Sequence, residues 1–129
     1  MGMYTELVLK CQIKSDAPKE VMDVIQYMFA GADEPEKLPE HEFFTLPRWD
    51  SIGNCCSFYH HPSVVNSCPK FDYSEEQYIF SRSDIKNYSG EIQAFLDWVK
   101  PYIDAMEGQC IGWTWYEEEL QPTLIIFQG

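Results

Sequence analysis

A cluster of cysteines and histidines near the middle of the chain offers the residue types best suited to metal binding or thiol chemistry. Zinc takes thiolate and imidazole ligands, and a Cys–His pair can act as a nucleophile. The spacing argues against both, because adjacent side chains on a strand point to opposite faces and the rigid C-x2-C half-site is absent. We therefore expect neither a metal, a cofactor nor a catalytic residue, although a small metal- or thiol-dependent enzyme is an open alternative. The cluster consists of Cys55, Cys56, His60, His61 and Cys68.

Two acidic stretches are the candidate binding residues. One lies in the first half of the chain and one near its end. Along an extended segment, side chains on one side lie about 6.6–7 Å apart, which is close to the phosphate spacing of one nucleic-acid strand. Both stretches are therefore predicted either to contact a basic partner or simply to be solvated charge, and nucleic-acid mimicry is one version of such a contact for the first stretch. Their members are Asp33, Glu34, Glu36, Glu40, Glu42, Glu117, Glu118 and Glu119.

Length and charge limit the functions that fit this chain. Its 129 residues suit a single domain, and its hydrophobic content of 45% is enough to bury a core. The formal net charge of −12 arises from 21 acidic and 9 basic residues. Such a field repels phosphates and attracts basic surfaces, so we expect a basic protein partner and no direct contact with nucleic acid. The alternative is that the charge only maintains solubility.

Targeting signals are not recognisable in the sequence. No apolar run approaches the roughly 20 residues that a membrane span needs, and no basic region followed by an apolar stretch opens the chain. The five cysteines are an odd number, which is typical of reduced thiols rather than a disulfide framework. We therefore expect a cytoplasmic protein that does not enter a membrane.

The first elements are predicted from hydrophobic periodicity. Residues 4–14 alternate apolar and polar types, which predicts a half-buried strand. A helix is predicted next, with Pro18 in its first turn and Gly31 at its end. Its apolar positions have the spacing i, i+3, i+4 and i+7, which is typical of an amphipathic helix. They are Val21, Val24, Ile25 and Met28.

A long connection over residues 32–54 follows that helix. Its acidic first half is predicted to be exposed, whereas its second half is too apolar to stand free in water. We expect Phe43, Phe44 and Trp49 either to fold back over the core or to form an aromatic binding surface. Residues 55–60 and 77–83 are each predicted to form a strand.

The last third contains a second helix and a hairpin. Ser89 is predicted to cap a helix over residues 90–106, which Pro101 should kink or shorten. Residues 109–116 and 123–127 are predicted to be strands, joined by the glutamate turn, with Ile111, Trp113 and Trp115 on one face beneath a helix or the long connection. The order β-α-β-β-α-β-β predicts an α+β domain with a mostly antiparallel sheet and two helices on one face.

Both ends of the chain resemble small acidic proteins encoded by bacteriophages and prophages. The segment APKEVMDVIQYMFAG, with its preceding strand, carries the resemblance within residues 4–31, and GWTWYEEELQPTLIIF carries it within residues 109–127. Proteins of this kind often bind and disable a host defence or nucleic-acid-handling protein. The resemblance thus implies a stoichiometric inhibitor in the cytoplasm of a bacterial host, for example an anti-CRISPR protein, and it supplies no catalytic residue.

Two binding hypotheses follow from the sequence. The first is a non-enzymatic, mobile-element-encoded binder that inhibits a basic host protein by complex formation. The second is an immunity or antitoxin protein that uses the same acidic surface against a basic toxin nuclease. In either case electrostatic steering would speed the encounter with the partner.

Overall fold

One antiparallel sheet organises the chain, and the computed structural model describes it through residues 4–30, 32–53, 70–71 and 77–128. The main path of the sheet runs β2-β3-β1-β5-β6, and β4 pairs with β1 off this path. The α+β class with an antiparallel sheet and two helices is confirmed, whereas the strand predicted over residues 55–60 lies outside the described residues. The elements are β1 Thr5–Ile13, α1 Lys19–Ala30, β2 Lys70–Phe71, β3 Gln77–Ile85, α2 Glu91–Val99, β4 Ile103–Asp104, β5 Cys110–Tyr116 and β6 Thr123–Ile126.

Strand β1 is the centre of the sheet. It pairs along its whole length with β3, from Thr5 opposite Ile85 to Ile13 opposite Gln77. Its other edge pairs with β5 over Thr5–Leu9 and with β4 at Gln12 and Ile13. Strand β1 therefore has neighbours on both edges and lies inside the sheet. Because its side chains alternate between the two faces, its sequence indicates which face is apolar.

The two helices cover one face of the sheet, which we call the inner face. Alternate residues of β1 point into it and join a single buried cluster with residues of α1 and α2. The predicted stripe of α1 is confirmed, because all four of its apolar positions are almost fully buried. The inner face of β1 presents Leu7, Leu9, Cys11 and Ile13.

The start of α2 differs from the prediction that Ser89 caps it. Gly90 occupies the cap position with a φ of 74°, and no side chain there bonds the helix. The side-chain oxygen of Asn87 instead accepts a hydrogen bond from the N–H of Ile92 at 2.9 Å. Asn87 thereby satisfies one of the helix's free backbone donors, while the Ser89 N–H donates to the carboxylate of Glu91 at 3.0 Å.

The end of α2 comes earlier than residue 106. The helix stops at Val99, a single 3-10 turn follows at Lys100–Tyr102, and Ile103 then enters β4. Pro101 accounts for the stop, because it lacks an N–H and its ring clashes with the carbonyl four residues earlier. The apolar Ile103 remains buried, but it packs into the core from a strand rather than from a helix.

The long connection is ordered by packing against both helices. Two short 3-10 helices, Glu42–Thr45 and Trp49–Ser51, place Phe43 in full burial. The connection approaches α1 so closely that a Cβ on Gly53 would lie 2.4 Å from the carbonyl oxygen of Met28. Glycine at this position therefore permits the contact, and of the two arrangements expected for the apolar second half the structure shows the fold-back over the core.

A β-bulge in β5 reverses the expected arrangement of the tryptophans. Cys110 pairs with Ile126 and Gly112 with Ile125, so β5 has one residue more than β6 across this interval. The extra residue, Ile111, is buried in the core cluster. Because a bulge changes the alternation, the prediction of one shared face for Ile111 and both tryptophans is wrong.

Trp113 and Trp115 lie on the sheet face opposite the helices. They pair with Val8 and Glu6, which alternate with the inner-face residues of β1. We call this second face the outer face.

Candidate functional site

The acidic residues of the long connection are all on the surface. Their side chains are exposed and lie between the end of α1 and the buried Phe43. The imidazole of His41 anchors the C-terminal end of this segment through two contacts. Its Nδ1 atom accepts a hydrogen bond from the N–H of Phe43 at 3.1 Å, and its Nε2 atom lies 3.0 Å from the carboxylate of Asp97 in α2. The acidic segment is therefore displayed next to α2 at one end. Its members are Asp33, Glu34, Glu36, Glu40 and Glu42.

The acidic turn between β5 and β6 is partly structural. The carboxylate of Glu117 accepts the N–H of Tyr4. The Trp115 indole N–H donates to the carbonyl of Glu119 at 2.8 Å, and the Glu119 carboxylate accepts the N–H of Tyr116 at 3.3 Å. Glu118 is exposed. The turn thus stabilises the hairpin while it presents negative charge to solvent.

Both acidic stretches change the ionisation of a nearby tyrosine. Burial raises the pKa of Tyr27, and the carboxylates of Glu34 and Asp50 raise it further. Burial likewise raises the pKa of Tyr116, with smaller contributions from Glu118, Glu117 and the neighbouring Tyr88. In each case the negative field opposes formation of a phenolate, so the two acidic stretches act electrostatically on their surroundings.

The three aromatics of the long connection form part of the core. Phe43 is fully buried and Trp49 nearly so, while Phe44 is half-buried between them. The ring of Phe43 lies 5.6 Å from that of Phe95 and 5.9 Å from that of Trp98. Of the two roles expected for Phe43, Phe44 and Trp49, the structure shows core packing for Phe43 and Trp49, whereas Phe44 packs against both of them and remains half-buried.

An exposed aromatic and aliphatic surface lies elsewhere, on the outer face of the sheet. Four of its apolar side chains are 38–58% exposed, although large apolar residues are commonly buried. The ammonium of Lys10 lies 5.2 Å from the ring centroid of Phe80 and 5.8 Å from that of Trp113. We call this set the outer-face patch. It comprises Lys10, Tyr78, Phe80, Trp113, Leu124 and Ile126.

Sequence reasoning missed the outer-face patch, although part of its signal was present. Tyr78 and Phe80 alternate within the predicted strand at 77–83, and Leu124 and Ile126 alternate within the last strand. The register of the sheet places Phe80 opposite Lys10 of β1 and Leu124 opposite Trp113 of β5, on the same face. A polar residue on the central strand is the signal that this face is not covered by a helix.

The other end of the outer face is buried and charged. The Nε atom of Arg82 donates to the Glu6 carboxylate at 2.7 Å, and an Nη atom lies 3.0 Å from the Asp84 carboxylate. All three side chains are nearly inaccessible to solvent. We call this set the buried triad. The triad therefore links β1 to β3 at this end of the sheet.

Chemistry based on thiols or metals finds little support in the described part of the chain. Burial raises the pKa of the Cys11 thiol to about 12, which leaves it protonated and unreactive at neutral pH. Among the described residues, no group of three or more His, Cys, Asp or Glu side chains is arranged to hold a metal ion. The predicted cluster of Cys55, Cys56, His60, His61 and Cys68 lies outside the described residues.

Comparison with protein-family models, with curated proteins and with solved structures finds no match for this chain. None of the helices in the described ranges has the length and apolar content that a membrane crossing requires. The candidate site is therefore defined by its own geometry, which is an exposed apolar patch on an antiparallel sheet.

Proposed function

We propose that this chain is a non-enzymatic binding protein whose outer-face patch docks on a basic partner protein. The observation that carries the proposal is the grouping of exposed rings and aliphatic side chains on one face of the sheet, where Phe80 is 52% and Leu124 58% exposed. Contiguous exposed apolar surface in a folded domain commonly marks an interaction site.

The composition of the patch resembles the central part of a protein interface. Aromatic residues are enriched at such centres and charged residues are depleted there. The single ammonium of Lys10 lies beside two rings, so its charge is partly balanced by contact with aromatic faces. The two rings therefore lower, without cancelling, the cost of desolvating this ammonium when a partner covers Phe80 and Trp113.

Negative charge near the patch favours a basic partner. Gln12 on the outer face contacts the carboxylate of Asp104 at 3.4 Å, and the acidic turn at Glu117–Glu119 precedes β6. The whole chain carries a net charge of −12. Complementary charge speeds association and excludes acidic competitors, whereas the desolvated apolar centre supplies most of the affinity.

The scaffold reduces the entropic cost of binding. The patch lies on paired strands, and the buried triad joins β1 to β3 at the other end of the same face. Because little backbone order is gained on docking, a larger share of the contact energy contributes to affinity. In the finer form of this proposal, the partner is a host protein that a mobile element inhibits through a stoichiometric complex.

The proposal is tested by comparing three versions of the purified chain as affinity baits. Phe80→Ser removes an exposed ring from the patch, and Leu120→Ser is the control, since Leu120 is 98% exposed in the acidic turn. We expect wild type and Leu120→Ser to retain the same basic protein and to form a stoichiometric complex with it after purification. Phe80→Ser should weaken that complex by about 2 kcal/mol or more, as interface centres do.

Salt dependence provides the second measurement on the purified pair. The association rate should fall as ionic strength rises, whereas the dissociation rate changes little. The proposal is wrong if the three baits bind the same partner with equal affinity, because the outer-face patch would then take no part in recognition.

A further inference from the structure

The last strand forms an open edge of the sheet. In the described part of the chain β6 pairs with β5 alone. The N–H of Phe127 donates to Gln109 and its carbonyl accepts from Gly108, at 2.8 and 2.9 Å, so these groups point toward β5. Because the backbone groups of alternate residues point to opposite sides of a strand, those of Leu124 and Ile126 point away from it.

The pairing of β5 supports the same orientation. The N–H of Glu117 donates to the carbonyl oxygen of Tyr4 at 3.1 Å. The backbone N–H and C=O groups of alternate residues of β5 therefore point toward β1, and those of the intervening residues point toward β6. Thr114 and Gly112 then face Thr123 and Ile125. The outer edge of β6 therefore presents the N–H and C=O groups of Leu124 and Ile126 as potential hydrogen-bond partners for another strand.

Apolar surface lies on both sides of this edge. On the outer face, the Leu124 and Ile126 side chains are 58% and 42% exposed. On the inner side, a cavity of about 160 Å³ opens between β6 and the end of α2, with Leu96, Ile103 and Ile125 in its lining and Lys100 beside them. A strand added to β6 would bury its alternate side chains against these two surfaces.

Acidic residues flank both ends of the edge. The turn Glu117–Glu119 precedes β6, and Glu107 neighbours the Gly108 that bonds to Phe127 after the strand. A second copy of this chain would bring the same acidic ends and another net charge of −12 to the edge. Like charges therefore oppose self-pairing, which is a known way in which edge strands avoid aggregation.

We propose that β6 binds an extended segment of the partner protein by strand addition. The segment would have apolar residues in its centre and Lys or Arg at its ends. This inference rests on the proposed function, since it names how the same partner would be recognised. Main-chain hydrogen bonds would supply affinity, whereas alternating side chains and the acidic ends would supply specificity.

The test uses the synthetic peptide Lys-Lys-Val-Thr-Val-Thr-Val-Lys-Lys as the probe and amide hydrogen exchange as the readout. At saturating peptide we expect exchange of the Leu124 and Ile126 amides to slow about tenfold or more, because each gains a hydrogen bond to the peptide. The Thr123 and Ile125 amides already point to β5 and should change much less. The same peptide with glutamates at its ends should bind about tenfold more weakly.

Two variants separate edge pairing from docking on the sheet face. Leu124→Pro removes the outward-pointing N–H of residue 124, and proline is tolerated at such a position of an edge strand. We expect this variant to lose the slowing of amide exchange at Ile126. Thermal unfolding checks that it is still folded. Phe80→Ser leaves the edge intact and should retain at least about half of the slowing. The same peptide N-methylated at its valines and its threonines lacks the central donors on both edges and should not bind.

Each remaining outcome has a defined meaning. Absence of slowing at Leu124 and Ile126, or equal slowing by the N-methylated peptide, overturns strand addition. If amide exchange at Leu124 and Ile126 slows with rising protein concentration in the absence of peptide, a second copy of the chain occupies the edge. That result also overturns the proposal of a partner segment. If the peptide fails while Phe80→Ser still weakens the natural complex, the proposed function survives without this mode of recognition.

Discussion

The two faces of the sheet follow different rules although they are built from the same strands. On the inner face, β1 contributes Leu7, Leu9, Cys11 and Ile13 to a cluster shared with both helices. On the outer face, the same strand contributes Glu6, Val8 and Lys10, of which the first two are buried and Lys10 is exposed. A continuous apolar core thus lies opposite a surface divided into a buried ionic end and an exposed aromatic end.

This difference separates residues that stabilise the fold, on the inner face, from residues proposed to bind a partner, on the exposed part of the outer face. Burial of apolar area provides the main driving force for folding, and here that area is concentrated on the inner face. The exposed end of the outer face contributes little to folding, so its residues are under fewer packing constraints. Mutations on the two faces should therefore have different effects, and the following predictions measure that contrast.

The largest effect is expected at the buried triad. Arg82→Met removes the guanidinium that contacts both Glu6 and Asp84, and it leaves two carboxylates in a buried site. We expect a loss of about 3–5 kcal/mol in the free energy of unfolding, measured by urea denaturation. Combining it with Glu6→Gln and Asp84→Asn should recover part of that loss. A loss below about 1 kcal/mol would mean that the triad is not buried as a unit.

A matched pair of phenylalanines compares the two faces directly. Phe43→Ala removes a fully buried ring from the aromatic cluster and should cost about 3–5 kcal/mol of unfolding free energy. Phe80→Ala removes a ring that is 52% exposed, and about 1 kcal/mol or less is expected. Thermal and urea unfolding of both variants test this ranking. Equal losses would contradict the separation of core from patch.

The β-bulge determines which side chains of β5 point to the inner face and which to the outer face. We expect it to depend on Gly112. Its φ is 154°, and a Cβ there would lie 2.0 Å from the carbonyl oxygen of Val8. Gly112→Ala should therefore lower the unfolding free energy by about 2 kcal/mol or more, through strain and displacement of β1. Gly108→Ala is the control, because its φ is 84° but the space around it is open, and about 1 kcal/mol is expected. Similar losses in the two variants would argue against the close approach.

The smallest effect, taken over the first pH unit above 9, concerns the Cys11 thiol on the inner face. Burial raises its pKa from 9.0 to about 12, so between these values the unfolded chain loses the proton while the folded chain keeps it. The unfolding free energy should consequently fall by up to about 1.4 kcal/mol per pH unit from this group alone. Cys11→Val lacks the titration and should show a shallower decline from pH 9 upward in urea denaturation. Identical pH profiles would show that the thiol is not protected.

Much of the fold was predictable because its signals are local. The alternation of residues 4–14 and the stripe of Val21, Val24, Ile25 and Met28 match β1 and α1, since periodicity follows directly from strand and helix geometry. Pro101 was expected to shorten α2 and does so. The Ser89 cap was wrong because Asn87, two residues earlier, reaches the same end of the helix.

The candidate site was less predictable because it depends on register. The exposed positions of Asp33, Glu34, Glu36, Glu40 and Glu42 follow from their charge. For Phe43, Phe44 and Trp49 the sequence left core packing and a binding surface open, and only the structure located an exposed aromatic surface in the outer-face patch. A single extra residue at Ile111 determines which face carries Trp113. No local pattern indicates a bulge of this kind, since it depends on how β5 meets both of its neighbours.

The sequence by itself determined the α+β class, the main helices and strands and the negative field. Those properties depend on composition, periodicity and proline chemistry, which act over a few residues. Only the tertiary structure decided which residues share the outer face, because strands distant in sequence meet there with a register set by the whole sheet. The proposed binding surface therefore depends on strand pairing, whereas the core positions are predicted by the hydrophobic periodicity of each strand and helix.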